Sequence, residues 1–139
     1  MNTNAQQAIG LFDSGIGGLT VANALINQLP NESLIYFGDT AHLPYGDKSA
    51  DTIRYFTKTI GNFLLSKECK IIVIACNTAS SVAYEMLQNL AGDKAHVFSV
   101  IEAVVAPVFH KIELAQFEAV IVVLSPTQIT ALVTDNVGC

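Results

Sequence analysis

The sequence predicts an α/β fold built on a doubly wound parallel sheet. Short, near-continuous apolar runs alternate with segments whose apolar residues recur at helical spacing, and polar loops containing glycine follow the early runs. Strands that are apolar along their whole length need cover on both faces. The right-handed crossover helices that join parallel strands supply it.

The elements follow in order. Ala8 to Phe12 is an apolar run stopped by Asp13-Ser-Gly-Ile-Gly-Gly18, after which Leu19, Ala22, Leu25, Ile26 and Leu29 mark a helix. Pro30-Asn31 breaks that helix, and Ser33 to Phe37 is a second apolar run leading into the polar loop Gly38-Asp39-Thr-Ala-His-Leu-Pro-Tyr-Gly46. Ile53, Phe56, Ile60, Phe63 and Leu64 predict the next helix. Lys70 to Ala75 reads as a β-branched strand ending at Cys76, and Ala79, Ala83, Met86, Leu87 and Leu90 line a further helix. His96 to Val100 is a fourth strand, Ile101, Val105, Val108 and Ile112 give a helical stripe, and Ala119 to Leu124 is a fifth strand. From Leu114 onward the periodicity weakens and no closing helix is evident, so the chain is expected to be cut short.

Composition narrows the function classes. A chain of 139 residues, 51% hydrophobic and 14% charged, has material for a real core and about one domain. A net charge of −5 gives no basic field to gather phosphates, so nucleic acid is not an expected partner. Met1 to Gln7 lacks the charged and apolar regions of a secretory signal, and the apolar runs fall far below the roughly 18 residues of a membrane helix. A cytoplasmic protein with no membrane partner is expected. Cys69, Cys76 and Cys139 contain no Cys-x-x-Cys pair, which argues for reduced thiols over a disulfide framework or a zinc site.

In open parallel sheets ligands gather beyond the carboxyl ends of the strands, where Asp13-Ser14, the loop from Asp39 to Gly46 and Cys76-Asn77-Thr78 all fall. Cys76 sits between a strand and a helix, where backbone N–H groups and the helix dipole favour a thiolate able to act as base or nucleophile. A buried packing thiol is the competing reading. Asn77 and Thr78 offer either an anion site at a helix N-terminus or ordinary capping. Asp13 and Ser14 suit an amino group, a proton transfer or a carboxylate contact, and equally a turn. Gly15 to Gly18 matches neither the dinucleotide fingerprint nor a P-loop, and its glycines suggest close approach of a substrate to the backbone. Pro44-Tyr45-Gly46 suits a loop closing over a small ligand, or a plain turn. A hydrolase elbow around Cys76 fails because Ile74 and Thr78 stand where glycines are needed, and His42, His96 and His110 lack a triad context.

Three motifs, Gly10-Leu-Phe-Asp-Ser-Gly-Ile-Gly-Gly-Leu-Thr-Val21, Tyr36-Phe-Gly-Asp-Thr-Ala41 with Pro44-Tyr-Gly46, and Ala75-Cys-Asn-Thr-Ala-Ser80, together resemble the glutamate racemase family over roughly residues 8 to 112. The resemblance implies a pseudosymmetric enzyme of two α/β lobes that binds glutamate between them, needs no pyridoxal phosphate or metal, and supplies D-glutamate for peptidoglycan. On that resemblance residues 8–100 form the first lobe and 101–139 the start of a truncated or divergent second. Cys76 is then the first-lobe catalytic cysteine, Asp13 its acidic assistant, and Ser14, Tyr45, Gly46, Asn77 and Thr78 contact substrate. The family's second cysteine stands in a Gly-Cys-Thr-His motif. Cys139, in Asp-Asn-Val-Gly-Cys, is not equated with it. Self-association into a homo-oligomer is a further expectation, and a non-catalytic remnant that binds an amino acid or a protein is the alternative reading.

Overall fold

The computed structural model describes residues 6–99, 118–124 and 129–135. Its elements run β1 (Ile9–Asp13), α1 (Leu19–Gln28), β2 (Leu34–Gly38), α2 (Ala50–Ser66), β3 (Ile71–Ile74), α3 (Asn77–Ala91), β4 (His96–Ser99), β5 (Glu118–Leu124) and β6 (Ile129–Asp135). The strands form one sheet in the order β4-β3-β1-β2-β5-β6. β1 lies in the interior, with Ile9 in register with Leu34 of β2 on one side and Ile71 of β3 on the other.

The predicted two-sided cover is present. α1 turns Ala22 and Leu25 onto one face, against Ile9, Leu11, Tyr36 and Val73. α2 and α3 cover the other, where Ile53, Ile60, Leu64, Ala79 and Leu87 join Phe12, Phe37, Ile72 and Ile74. Every residue of β1 is buried, as the uninterrupted apolar run requires. Gly61 lets α2 and α3 approach closely, since a Cβ there would run into Leu87. α2 begins at Ser49, whose hydroxyl accepts the Thr52 N–H at 3.2 Å. It ends with Glu68 in the left-handed region at φ 56°, a place usually held by glycine. No helix among the described residues is long and apolar enough to cross a membrane.

β5 pairs in parallel with β2, but β6 runs antiparallel to β5, which the sequence reading did not foresee. The reason is chain length. Only four residues separate Leu124 from Ile129, whereas a parallel crossover takes a dozen or more. The helical stripe from Ile101 to Ile112 and the lobe boundary at residue 100 lie outside the described residues.

Candidate active site

The carboxyl ends of β1, β2 and β3 open onto one edge, and three chain segments meet there. Parallel pairing aligns Asp13 with Gly38 and Phe12 with Ile74, so the residues just beyond each strand become neighbours. Backbone hydrogen bonds tie the exits together: Asp39 N–H donates to the Asp13 carbonyl at 2.9 Å, and Ala75 N–H to the Phe12 carbonyl at 2.7 Å.

Cys76 is the N-cap residue of α3, with its sulfur accepting the Ala79 N–H at 3.5 Å. The same Sγ lies 3.4 Å from the Ser14 hydroxyl, across 62 residues of sequence. Cys76 is 6% exposed and packs with the core on the α2–α3 face of the sheet. Asn77 is exposed and Thr78 half-buried in the first turn of α3. Backbone N–H groups in that turn lack intrahelical partners, which makes it suited to hold an anion.

Asp13 is buried, and its Oδ2 accepts the Gly18 N–H at 2.6 Å, placing a carboxylate at the N-terminus of α1 where the helix dipole favours it. Gly18 is glycine because of the protein itself: a Cβ there would stand 2.8 Å from the Asp13 Cβ and 3.1 Å from the Ala75 Cβ. The expectation that glycines in this loop serve the approach of a substrate is therefore corrected at Gly18, where the close neighbours are Asp13 and Ala75.

The segment after β2 is more ordered than a polar loop. It forms single 3-10 turns over Thr40–His42 and Tyr45–Asp47, separated by the cis Leu43–Pro44 bond. Asp39 organises it. Its carboxylate, 1% exposed, accepts the Tyr45 hydroxyl at 2.6 Å and bonds the His42 Nδ1 at 2.8 Å, while the His42 ring stacks on Phe56 at 3.9 Å. Tyr45 is buried with its hydroxyl committed to Asp39, so the sequence-based picture of a phenol free to close over a ligand gives way to a structural anchor. Burial first, then the hydrogen bond to and charge of Asp39, then the charges of Cys76 and Asp13, push the Tyr45 phenol far above its ordinary value. Gly46 is exposed, with open space around it.

The structure thus brings Asp13, Ser14, Tyr45, Cys76, Asn77 and Thr78 to one edge, and puts Ser14 in contact with Cys76. Sequence reasoning assigned no role to Asp39, His42 or Tyr36. The signal available was an aspartate directly after an apolar strand, six residues ahead of a tyrosine. Cys69 lies apart, buried beside Gly10 and Leu64, and burial pushes its thiol up to about 12, consistent with a packing residue.

Proteins that match this chain in sequence and in fold include amino-acid racemases. Specifically, the chain is similar to glutamate racemases, which bears out the resemblance over its N-terminal portion. It is 50% identical over 93 residues to the glutamate racemase of Syntrophus aciditrophicus, a match covering 66% of this chain and 34% of that protein. It is 57% identical over 81 residues to that of Streptococcus uberis, covering 58% of this chain and 31% of that protein. The crystal structure of the Francisella tularensis glutamate racemase in complex with D-glutamate superposes with a TM-score of 0.69 at 48% identity, covering 75% of this chain and 39% of that one. The Thermus thermophilus enzyme in complex with β-chloro-D-alanine gives a TM-score of 0.67 at 38% identity, covering 83% of this chain and 52% of that one. The chain spans about a third of the length of the curated relatives it matches. No protein-family model matches it.

Proposed function

We propose that this chain carries one half of the acid/base machinery of a glutamate racemase, with Cys76 moving the α-proton of glutamate on one face. The observation that carries this reading is the placement of the Cys76 sulfur, at the N-terminus of α3 and 3.4 Å from the Ser14 hydroxyl. The names of the relatives, and the D-glutamate bound in one structural neighbour, support glutamate as the substrate.

The chemistry follows from the acidity of the substrate. An α-proton on an amino acid is only weakly acidic, so its removal needs a positioned base and donors aimed at the charge that develops on the carboxylate. The first turn of α3, with Asn77 and Thr78, provides donors for that carboxylate. Ser14 accepts a hydrogen from the thiol and, with its hydroxyl rotated, donates one to the thiolate, so it serves both protonation states of Cys76. Asp13 assists as the neighbouring carboxylate, and the Tyr45–Gly46 segment bounds the cleft on the β2 side. Inversion needs a second acid/base group on the opposite face, a second cysteine in this reading. The reaction uses neither pyridoxal phosphate nor metal, and its product is D-glutamate for peptidoglycan synthesis in the cytoplasm.

Deuterium exchange at the α-carbon of D- and L-glutamate in heavy water, followed by proton NMR with Cys76→Ser as control, tests this. Exchange of at least one enantiomer, abolished by the substitution, is the expected result. A folded sample that exchanges neither enantiomer overturns the racemase reading and leaves a non-catalytic module that at most binds an amino acid or another protein.

A further inference from the structure

We propose that Tyr36 is a positioning residue for Cys76, acting through the Gly15 carbonyl to hold Ser14 against the sulfur. The Tyr36 side chain is buried, and its hydroxyl donates to the Gly15 carbonyl at 2.9 Å across 21 residues of sequence. The next residue back along the chain is Ser14, whose Oγ meets the Cys76 Sγ. Two residues beyond Tyr36 on the same strand, Gly38 leaves room for the same atom: a Cβ there would lie 2.5 Å from the Gly15 carbonyl oxygen. The loop is thus clamped by β2 at Gly15 and by the Asp13 carboxylate at Gly18. Ser14 lies between the end of β1 at Asp13 and the held Gly15. Burial, and then the charge of nearby Asp13, raise the Tyr36 phenol well above its ordinary value, so it remains a donor at physiological pH.

The inference deepens the reading of Cys76 as a proton carrier, but it is tested through thiol chemistry, which requires no turnover. Thiolate is the species that reacts with iodoacetamide, so the alkylation rate of Cys76, resolved from other cysteines by peptide mass spectrometry, reports how well its surroundings support it. With Tyr36→Phe, Cys76 alkylation at neutral pH is expected to slow about three- to tenfold, the scale of one weakened hydrogen bond to a charged group, and to recover at high pH. Ser14→Ala is expected to slow it similarly, and the double variant no further, because both act along one path. Para-aminophenylalanine at position 36 keeps a donor and is expected to restore the rate. Para-fluorophenylalanine fills the volume of the hydroxyl without donating, and replaces Phe if that variant loses its cooperative thermal transition.

An unchanged rate in the donor-less variants overturns the inference. So does slowing that persists at high pH, which would mark altered access, or effects of Tyr36 and Ser14 that multiply. Failure of heavy-water exchange in the unsubstituted chain strikes the racemase reading alone and leaves these rates interpretable.

Discussion

The Tyr45 hydroxyl donates a 2.6 Å hydrogen bond to the carboxylate of Asp39, and His42 Nδ1 lies 2.8 Å from the other oxygen of the same carboxylate. One buried carboxylate therefore holds both 3-10 turns that follow β2, and with them the Tyr45–Gly46 segment at the carboxyl edge of the sheet. Replacing Asp39 by Asn keeps the shape but removes the charge that both donors use. Asp39→Asn is expected to cost about 1.5–3 kcal/mol, the range for hydrogen bonds to charged groups, read as a lower urea midpoint with unchanged slope. A midpoint equal to that of the unsubstituted chain would mean that the three side chains are not coupled.

Tyr36 and Tyr45 both have phenols raised above the ordinary value of 10.0 by burial and by neighbouring carboxylates. A raised folded-state value means that the stabilising contribution is fully present below the unfolded value and is lost as pH rises above it. Stability is therefore expected to fall with increasing pH above about 10, the unfolded tyrosine value. In a titration followed at the phenolate absorbance band, these two of the four tyrosines should ionise only together with the loss of circular dichroism. Ionisation of all four in the folded state would contradict the packing described.

At the opposite end of the sheet, Lys70 Nζ meets Glu32 Oε2 at 2.7 Å, with the lysine side chain 9% and the glutamate 2% exposed. Burial raises Glu32, and the hydrogen bond and charge of Lys70 oppose the rise. Lys70→Met leaves that carboxylate without its cation, and about 3–5 kcal/mol of stability should be lost at neutral pH. A raised folded value for an acid contributes stability below its unfolded value and loses it as pH rises. The defect of the variant should accordingly shrink on acidification toward the ordinary glutamate value of 4.5. Thermal melts of both chains at acidic and neutral pH decide it, and a defect independent of pH would refute the assignment.

Glu68 ends α2 with φ at 56°, a conformation that opposes a Cβ. Its N–H bonds to the Leu65 carbonyl and the N–H of Cys69 to that of Leu64, so the turn is fixed by the backbone whatever the side chain. Glu68→Gly should raise stability by roughly 0.5–1 kcal/mol, with a higher melting temperature as the readout. A fall would show that the freedom gained by the unfolded chain outweighs the relieved strain.

Much of this protein is legible in local pattern. Ile71 to Ile74 is a strand because four consecutive apolar, β-branched residues suit a sheet covered on both faces, and Ala79, Ala83 and Leu87 fall on one side of a helix by their spacing. That alternation also places Asp13, Ser14 and Cys76 at one edge, because parallel strands all end on the same side. The direction of β6 is set by the four residues between Leu124 and Ile129, too few for a parallel crossover.

By itself, then, the sequence determined the alternation of strands and helices, the edge on which the polar loops collect, and the likeness to racemases, since each depends on residues near one another or on motifs read in order. Only the tertiary structure decided that Tyr45 spends its hydroxyl on Asp39, that Gly18 makes room for Asp13, and that Tyr36 reaches Gly15 while Ser14 reaches Cys76. The last two pairings are set by the register of β1 against β2 and β3, the first two by the local turns after β2 and β1. Spacing along the chain predicts that strands exist and that they run parallel, but which side chains they bring into contact depends on where each strand stops.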